Sequence, residues 1–178
     1  MSTQLNAEMS QSMPFLTRPK NLDGSMVGDV GFDPLGFSDH FDLKWLRESE
    51  LKHGRAAMLA TVGFVLQQFV TIPGYEHVDD SNMGPTVVGV SAMAQIIAGC
   101  GHIEWVTNGQ GNMSMETMFN DPGRVPGKLG FDPQNYYGKK SAEEMKTLEL
   151  QEIKNGRLAM LAIGGMIHHN WITGEALF

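Results

Sequence analysis

The sequence predicts an all-α membrane protein with three apolar helical blocks, the first and third of them copies of one unit. Three observations lead there. Gly31-Phe32-Asp33-Pro34 recurs as Gly130-Phe131-Asp132-Pro133. Downstream of each copy a second match follows, Glu50 to Ala60 against Glu152 to Ala162, with the shared pattern E-x-K-[HN]-G-R-x-A-M-L-A. Self-similarity of this length marks two copies of one structural unit, each a Gly-Phe-Asp-Pro turn leading into a long helix. Finally, polar residues rich in Gly, Pro, Asn and Asp concentrate in roughly the first thirty positions and between Thr107 and Lys140, leaving the apolar blocks between them.

Taken in order, residues 1–40 form an arm that ends in the first turn. The first helix is expected over 41–72, because Leu43, Leu46, Glu50, His53, Ala57 and Ala60 follow helical spacing and Pro73-Gly74 stops the chain. At 1.5 Å per residue it would be about 45 Å long. The middle helix is expected over 85–106, where no formal charge interrupts Thr86 to Val90 or Ala92 to Cys100. A block of roughly 20 residues suits a bilayer span. Residues 107–140 form a loop carrying the second turn, and the third helix covers 141–174. Ser141 supplies its N-cap hydroxyl and Glu144 the carboxylate that closes a capping box. The whole chain, 1–178, is expected to be a single domain. The first and third helices carry Glu, Lys and Arg at their start, and ionisable groups in a span require partners.

Composition removes several function classes. Lys and Arg number 13 against 20 Asp and Glu, a formal charge of −7, so a nucleic-acid partner would be repelled. A single cysteine, Cys100, closes no internal disulfide and builds no thiolate zinc cage. Residues 1–21 lack the apolar core of a secretory signal. There is no phosphate loop, nucleophile elbow or H-E-x-x-H motif, so the sequence proposes no bond-making chemistry and the chain is read as no enzyme. The 13 Met, spread along the chain, read as core filler or ligand-contacting surface.

The chemistry lies in the duplicated motif. Glu50 and Arg55 are five positions apart, about 140° round a helix, which is no i,i+4 pair. If the two copies cross as a pseudo-two-fold pair, Glu50 meets Arg157 and Glu152 meets Arg55, and each carboxylate faces a guanidinium. Gly54, Gly156, Ala57, Ala159, Gly63, Gly164 and Gly165 are the small residues that would let the backbones approach. Glu50 with His53, and Glu152 with Asn155, lie on neighbouring helix faces. Each can give one lone pair to Mg²⁺ when a macrocycle supplies the other four donors. His169 lies on a similar face to Asn155, near the far end of that helix.

These residues resemble the light-harvesting chlorophyll-binding antenna family of photosynthetic eukaryotes, through E-x-x-H-G-R-x-A-M in the first helix and E-x-x-N-G-R-L-A-M in the third. The resemblance covers about Asp29 to Gly174. The Leu-Asp-Gly-Ser lead-in, the Gly-Phe-Asp-Pro-Leu-Gly segment and the short tail are more similar to the chlorophyll a/c, fucoxanthin- or peridinin-type branch of red-lineage algae. It implies three transmembrane helices in the chloroplast thylakoid membrane, the first and third crossed, with the arm on the stromal side. By motif position it implies that Glu50, His53, Glu152, Asn155 and His169 ligate chlorophyll magnesium, that Gln95 and Glu104 do so in the middle helix, and that Arg55 and Arg157 make the crossed ion pairs. The turns at Asp33 and Asp132 resemble segments that hold carotenoids. Implied cofactors are chlorophyll a, chlorophyll c, a fucoxanthin- or peridinin-type xanthophyll, other carotenoids and lipid. Implied partners are photosystem core subunits, with a lean towards photosystem I, neighbouring antenna proteins and membrane lipids.

Two other readings stand beside this one. A photoprotective relative that quenches excitation would use the same ligands. A soluble bundle without pigment would leave the charged motif as ordinary solvated helix surface. His168 cannot face the same ligand as His169, one residue being 100° of helix, and His40, His77 and His102 read as structural.

Overall fold

A computed structural model describes residues 9–77, 81–108, 114–121 and 123–175, apart from the side chain of Tyr137. The first eight residues of the arm and part of the 107–140 loop lie outside these. The described residues form helices α1 (Phe37–His40), α2 (Leu43–Leu66), α3 (Gly84–Val88), α4 (Val90–Thr107), α5 (Tyr136–Lys139) and α6 (Ala142–Thr173), with a 3-10 turn at Ser81–Met83 before α3. Among them there is no strand, only an isolated bridge between Met9 and Thr17.

Helix α2 ends six residues short of the expected 72. Its last amides tighten to i→i−3 bonds, Gln68 to Val65 and Phe69 to Leu66, and the β-branched run Val70-Thr71-Ile72 then meets Pro73, which disfavours helical backbone in the preceding residue. The middle helix is not continuous. Gly89, at φ 83° and ψ 160°, breaks it, and the segments 81–88 and 90–107 are bent by 98°. Only glycine takes that backbone without strain. Helix α6 starts as its capping box requires: the Ser141 amide donates to Glu144 Oε2 at 2.8 Å and the Glu144 amide to Ser141 Oγ at 3.3 Å. No single helix among the described residues is long and apolar enough to cross a membrane, whereas the bent pair 81–88 and 90–107 passes that test taken together.

The backbone repeats beyond the four-residue turn. Gly28, Gly31 and Gly36 all have positive φ, and so do Gly127, Gly130 and Asn135, their counterparts in the second copy. Gly36 and Asn135 are the left-handed N-caps of α1 and α5. Asp42 then caps α2, its Oδ1 accepting the Lys44 and Trp45 amides at 2.6 and 3.3 Å, in the place that Ser141 takes before α6. The copies differ in one respect. The E-x-K motif sits about one helical turn further into α6 than into α2.

Two compact units divide the chain, Met1–Glu50 with Asp121–Lys154 and Leu51–Asn120 with Asn155–Phe178. In the first, Ile153 is buried and packs near Gly28, where a side chain would meet Ile153 and Leu150. Glu48, 2 % exposed, accepts the Gly127 amide at 2.5 Å and lies 3.5 Å from Arg124, joining the start of α2 to the second glycine turn. The arm is held by Ser10 Oγ donating to Gly31 O at 2.6 Å and by Arg18, which reaches Leu22 O and pairs with Asp29. In the second unit, Ser81 donates to Phe64 O, Gln67 to Ser81 O and Asn82 to Ile167 O, so the turn at 81–83 is tied to the ends of α2 and α6.

Candidate chlorophyll-ligand site

The second unit contains a direct backbone contact between α2 and α6. A Cβ built on Gly54 would lie 3.0 Å from Gly156 Cα, and one on Gly156 would lie 3.0 Å from Gly54 Cα. Ala57 and Ala159, one turn on, are buried, and Thr61 Oγ1 bonds Ala57 O at 2.8 Å and reaches Ala159 O at 3.5 Å. Gly63, Gly164 and Gly165, expected to serve the same approach, meet nothing within 4 Å. They lie about 12–14 Å along their helices from the contact. Of these five glycines, only Gly54 and Gly156 make the contact.

His53 and Asn155 immediately precede the two contact glycines, so a 100° step turns both off the contact. Both are exposed, as are Ala56 and Leu158 three residues on along the same faces. Each therefore stands on an outward face with a small or apolar neighbour, next to the glycine contact. Gln95 on α4 and His169 on α6 are likewise exposed. His168 instead donates Nδ1–H to Gly164 O at 2.8 Å and sets its ring edge against Trp171. No group of three or more His, Cys, Asp or Glu gathers into a cluster among the described residues. Isolated donors of this kind would hold only a metal whose other positions a macrocycle already fills.

Three partnerships escaped the sequence reading. Glu104 on α4 is held by Lys52 on α2, Nζ to Oε2 2.5 Å, and accepts Asn108 Nδ2 at 2.9 Å on the same oxygen. Buried Asn108 also lies 3.4 Å from Lys52. The signal was the Lys of E-x-K together with the lack of a cation on α4. Arg47 pairs with Glu50 at 2.9 Å, an i,i+3 bridge within α2, and Glu48 with Arg124 is the third. The crossed pairs expected for Arg55 and Arg157 join residues of different units and belong to the proposal below.

The first Gly-Phe-Asp-Pro turn borders a cleft of about 590 Å³ lined in part by Leu16, Arg18, Lys20, Asp33, Leu35 and Asp39. Asp33 accepts the Phe37 amide on Oδ1 at 2.9 Å and the Ser38 amide on Oδ2 at 2.7 Å. In the second copy the Asn135 amide closes on Asp132 O at 3.1 Å. Burial works against ionisation of Asp33, but hydrogen bonds from Ser38 and from the amides of Phe37 and Gly36 outweigh it and hold the carboxyl below its ordinary 3.8. A depressed folded-state pKa contributes stability that is fully present above the unfolded value and is lost as pH falls through the folded one. The turn is therefore expected to persist at neutral pH and to loosen only below pH 3.8. A carboxyl chemical-shift titration of Asp33 in detergent checks this, and a midpoint at or above 3.8 overturns it.

The described residues form a helical scaffold in which α2 and α6 meet at Gly54 and Gly156. A family model described as Chlorophyll A-B binding protein matches residues 18–171, and the chain belongs to the chlorophyll a-b binding protein family. It is 36% identical over 169 residues to a fucoxanthin-chlorophyll a-c binding protein, chloroplastic, of Chattonella marina var. antiqua, an alignment covering 92% of this chain and 74% of that protein. It is 34% identical over 179 residues to photosystem I chlorophyll a/b-binding protein 6 of Arabidopsis thaliana, covering 91% and 65%. It is 34% identical over 169 residues to light-harvesting complex stress-related protein 1 of Chlamydomonas reinhardtii, covering 84% and 64%. The chain is a light-harvesting protein of the chloroplast thylakoid membrane, with a helical membrane fold, and is a non-enzymatic pigment carrier.

Proposed function

We propose that this antenna protein binds chlorophyll a, chlorophyll c and a fucoxanthin- or peridinin-type xanthophyll, with other carotenoids and lipid, and passes excitation to photosystem I. One observation carries the ligand assignment: the Gly54–Gly156 contact roots His53 and Asn155 at matching places on exposed apolar faces. α2, the bent 81–107 pair and α6 are the membrane spans, and α2 and α6 cross about a pseudo-two-fold axis. A glycine contact limited to Gly54 and Gly156 supports that crossing.

Chlorophyll, when bound, supplies the absorbing macrocycle and its excited state. The chain's residues position it. His53, Asn155, His169, Gln95, Glu50, Glu152 and Glu104 each offer one lone pair to a magnesium, and the identity of each donor with its own hydrogen bonds tunes the bound pigment. Lys52 and Arg47 neutralise Glu104 and Glu50 so that these carboxylates stand at acceptable cost in an apolar surrounding. Arg55 and Arg157 complete the crossed pairs with Glu152 and Glu50. Asp33 and Asp132 shape the turns beside which carotenoid ends lie, and the cleft at Asp33 has the room. The a-c binding relative supports the pigment set, and the photosystem I relative supports photosystem I core subunits and neighbouring antenna proteins as partners.

His53→Leu is the direct test. The variant is expected to lose about one chlorophyll per chain by pigment extraction while keeping wild-type helical circular dichroism. Full chlorophyll content in that variant removes His53 from the ligand set. Similarity to the stress-related protein favours a second reading, a quencher. A fluorescence lifetime near that of free chlorophyll supports harvesting, and a strongly shortened one supports quenching.

A further inference from the structure

His102 on α4 and His168 on α6 each stand three residues before a tryptophan. Their rings lie 6.1 Å from that of Trp105 and 6.2 Å from that of Trp171, respectively. The two histidines differ at their nitrogens. His168 donates Nδ1–H to Gly164 O at 2.8 Å. A carbonyl oxygen only accepts, so this partner assigns the hydrogen of the neutral ring to Nδ1 and leaves the lone pair on Nε2. That Nε2 has no hydrogen-bond partner among the described residues, and the rings of His102 and His169 have none at either nitrogen. Of these three exposed histidines, His168 is the one whose tautomer is fixed with a donor nitrogen turned away from the backbone.

A histidine that ligates a metal almost always gives its other N–H to a carboxylate, a backbone carbonyl or water, which orients the ring and makes the ligating nitrogen more basic. The backbone bond of His168 supplies that second partner within its own helix. Without a ligand, Nε2 would stand unsatisfied in an apolar surrounding, which is costly.

The surface round that nitrogen is open and apolar. Helical side chains lean towards the N-terminus, so the imidazole lies over the turn of Gly164 and Gly165. A Cβ built on either glycine meets nothing within 4 Å. Leu161 precedes this gap and Trp171 and Ile172 follow it, 78, 77 and 78 % exposed. All five residues lie within about 60° of His168 round the helix, and Leu161 and Ile172 are about 16 Å apart along it, room for a planar macrocycle. This face is turned about 120° from Gly156, about 140° from Asn155 and about 100° from His169.

We infer that His168 is a further axial ligand, giving its Nε2 lone pair to the magnesium of a chlorophyll that lies over Gly164 and Gly165, on a face of α6 separate from those of Asn155 and His169. The inference rests on the pigment-carrier reading and adds a site to it. It also gives the two glycines a role, since they take no part in the contact with α2: a side chain there would fill the macrocycle's place.

The full chain is refolded with chlorophyll and carotenoid in detergent, and chlorophyll per chain is measured by extraction beside helical circular dichroism. His168→Phe keeps a flat ring and removes the lone pair. It is expected to hold about one chlorophyll fewer than wild type, with the yield of assembled protein and the circular dichroism unchanged because the Gly54–Gly156 contact is untouched. His168→Phe combined with His169→Leu is expected to hold about one fewer than His169→Leu alone, since the two histidines serve different faces. Gly165→Leu, with His168 intact, is expected to show the same loss as His168→Phe. Full chlorophyll content in His168→Phe overturns the inference, and so does equal content in His169→Leu and the double variant. If His168→Phe does not refold, Gly165→Leu decides, and full chlorophyll content there overturns it. A wild-type chain that takes up no chlorophyll fails the pigment-carrier reading instead.

Discussion

Gly156→Leu is expected to abolish assembly of the pigment-loaded protein. A Cβ at this position would sit 3.0 Å from Gly54 Cα, and what it meets is backbone, which cannot rotate away as a side chain can. The two helices would have to separate at the level where they touch, and Thr61 would lose its reach to Ala159 O. Overpacking of this kind costs about 1–3 kcal/mol where side chains can adapt, and more where backbone must move. Against a total stability of about 5–15 kcal/mol, that is enough to deplete the folded form. Gly54→Leu is expected to behave alike. The control is Gly164→Leu, on the same helix but with nothing within 4 Å of its built Cβ. It should assemble normally. Yield of pigment-loaded protein after refolding measures all three, and equal loss in Gly156→Leu and Gly164→Leu would falsify a contact made by Gly156 and not by Gly164.

Glu48→Ala is the second large effect. Glu48 lies in the first unit, nearly without solvent, with the Gly127 amide on one oxygen and Arg124 near the other. Truncation leaves a buried N–H and a guanidinium that is 15% exposed without their acceptor. Breaking a buried pair from one side costs about 3–5 kcal/mol. Glu48→Gln keeps an acceptor for Gly127 and loses only the charge, so its expected cost is nearer 1–2 kcal/mol. Chemical denaturation followed by helical circular dichroism should rank wild type, Gln and Ala in that order. Equal midpoints for Ala and Gln would mean that the Gly127 hydrogen bond contributes nothing.

Much of this arrangement was legible along the chain. The helix starts were, because caps are local: Ser141 and Glu144 make the capping box their spacing predicts. Helix ends were less so. The pattern from Leu43 onward was read through to residue 72, but the β-branched run before Pro73 ended α2 at Leu66, and a single glycine at 89 bent a block that looked uniform by composition. The repeat was recognised only where residues are identical. Its wider extent, Gly36 with Asn135, rests on a shared left-handed backbone conformation, and the extra helical turn before Glu152 shifts the register between the turn and the motif.

The sequence by itself determined the helical class, the duplication, and the candidate donors at His53, Asn155 and His169, since these follow from periodicity, identity and side-chain chemistry, whereas Gln95 came only from the family resemblance. Only the tertiary structure decided which small residues touch and which carboxylates have which cations. Gly54, Gly63, Gly156 and Gly164 are indistinguishable as residues, but the contact engages just one glycine on each helix. Lys52 finds Glu104, and Arg124 finds Glu48, across long stretches of sequence, because a long flexible cation pairs with whatever carboxylate the packing of helices and turns brings within its reach. Helical period is a local property and ion pairing a spatial one, which is why the first could be read from the sequence and the second could not.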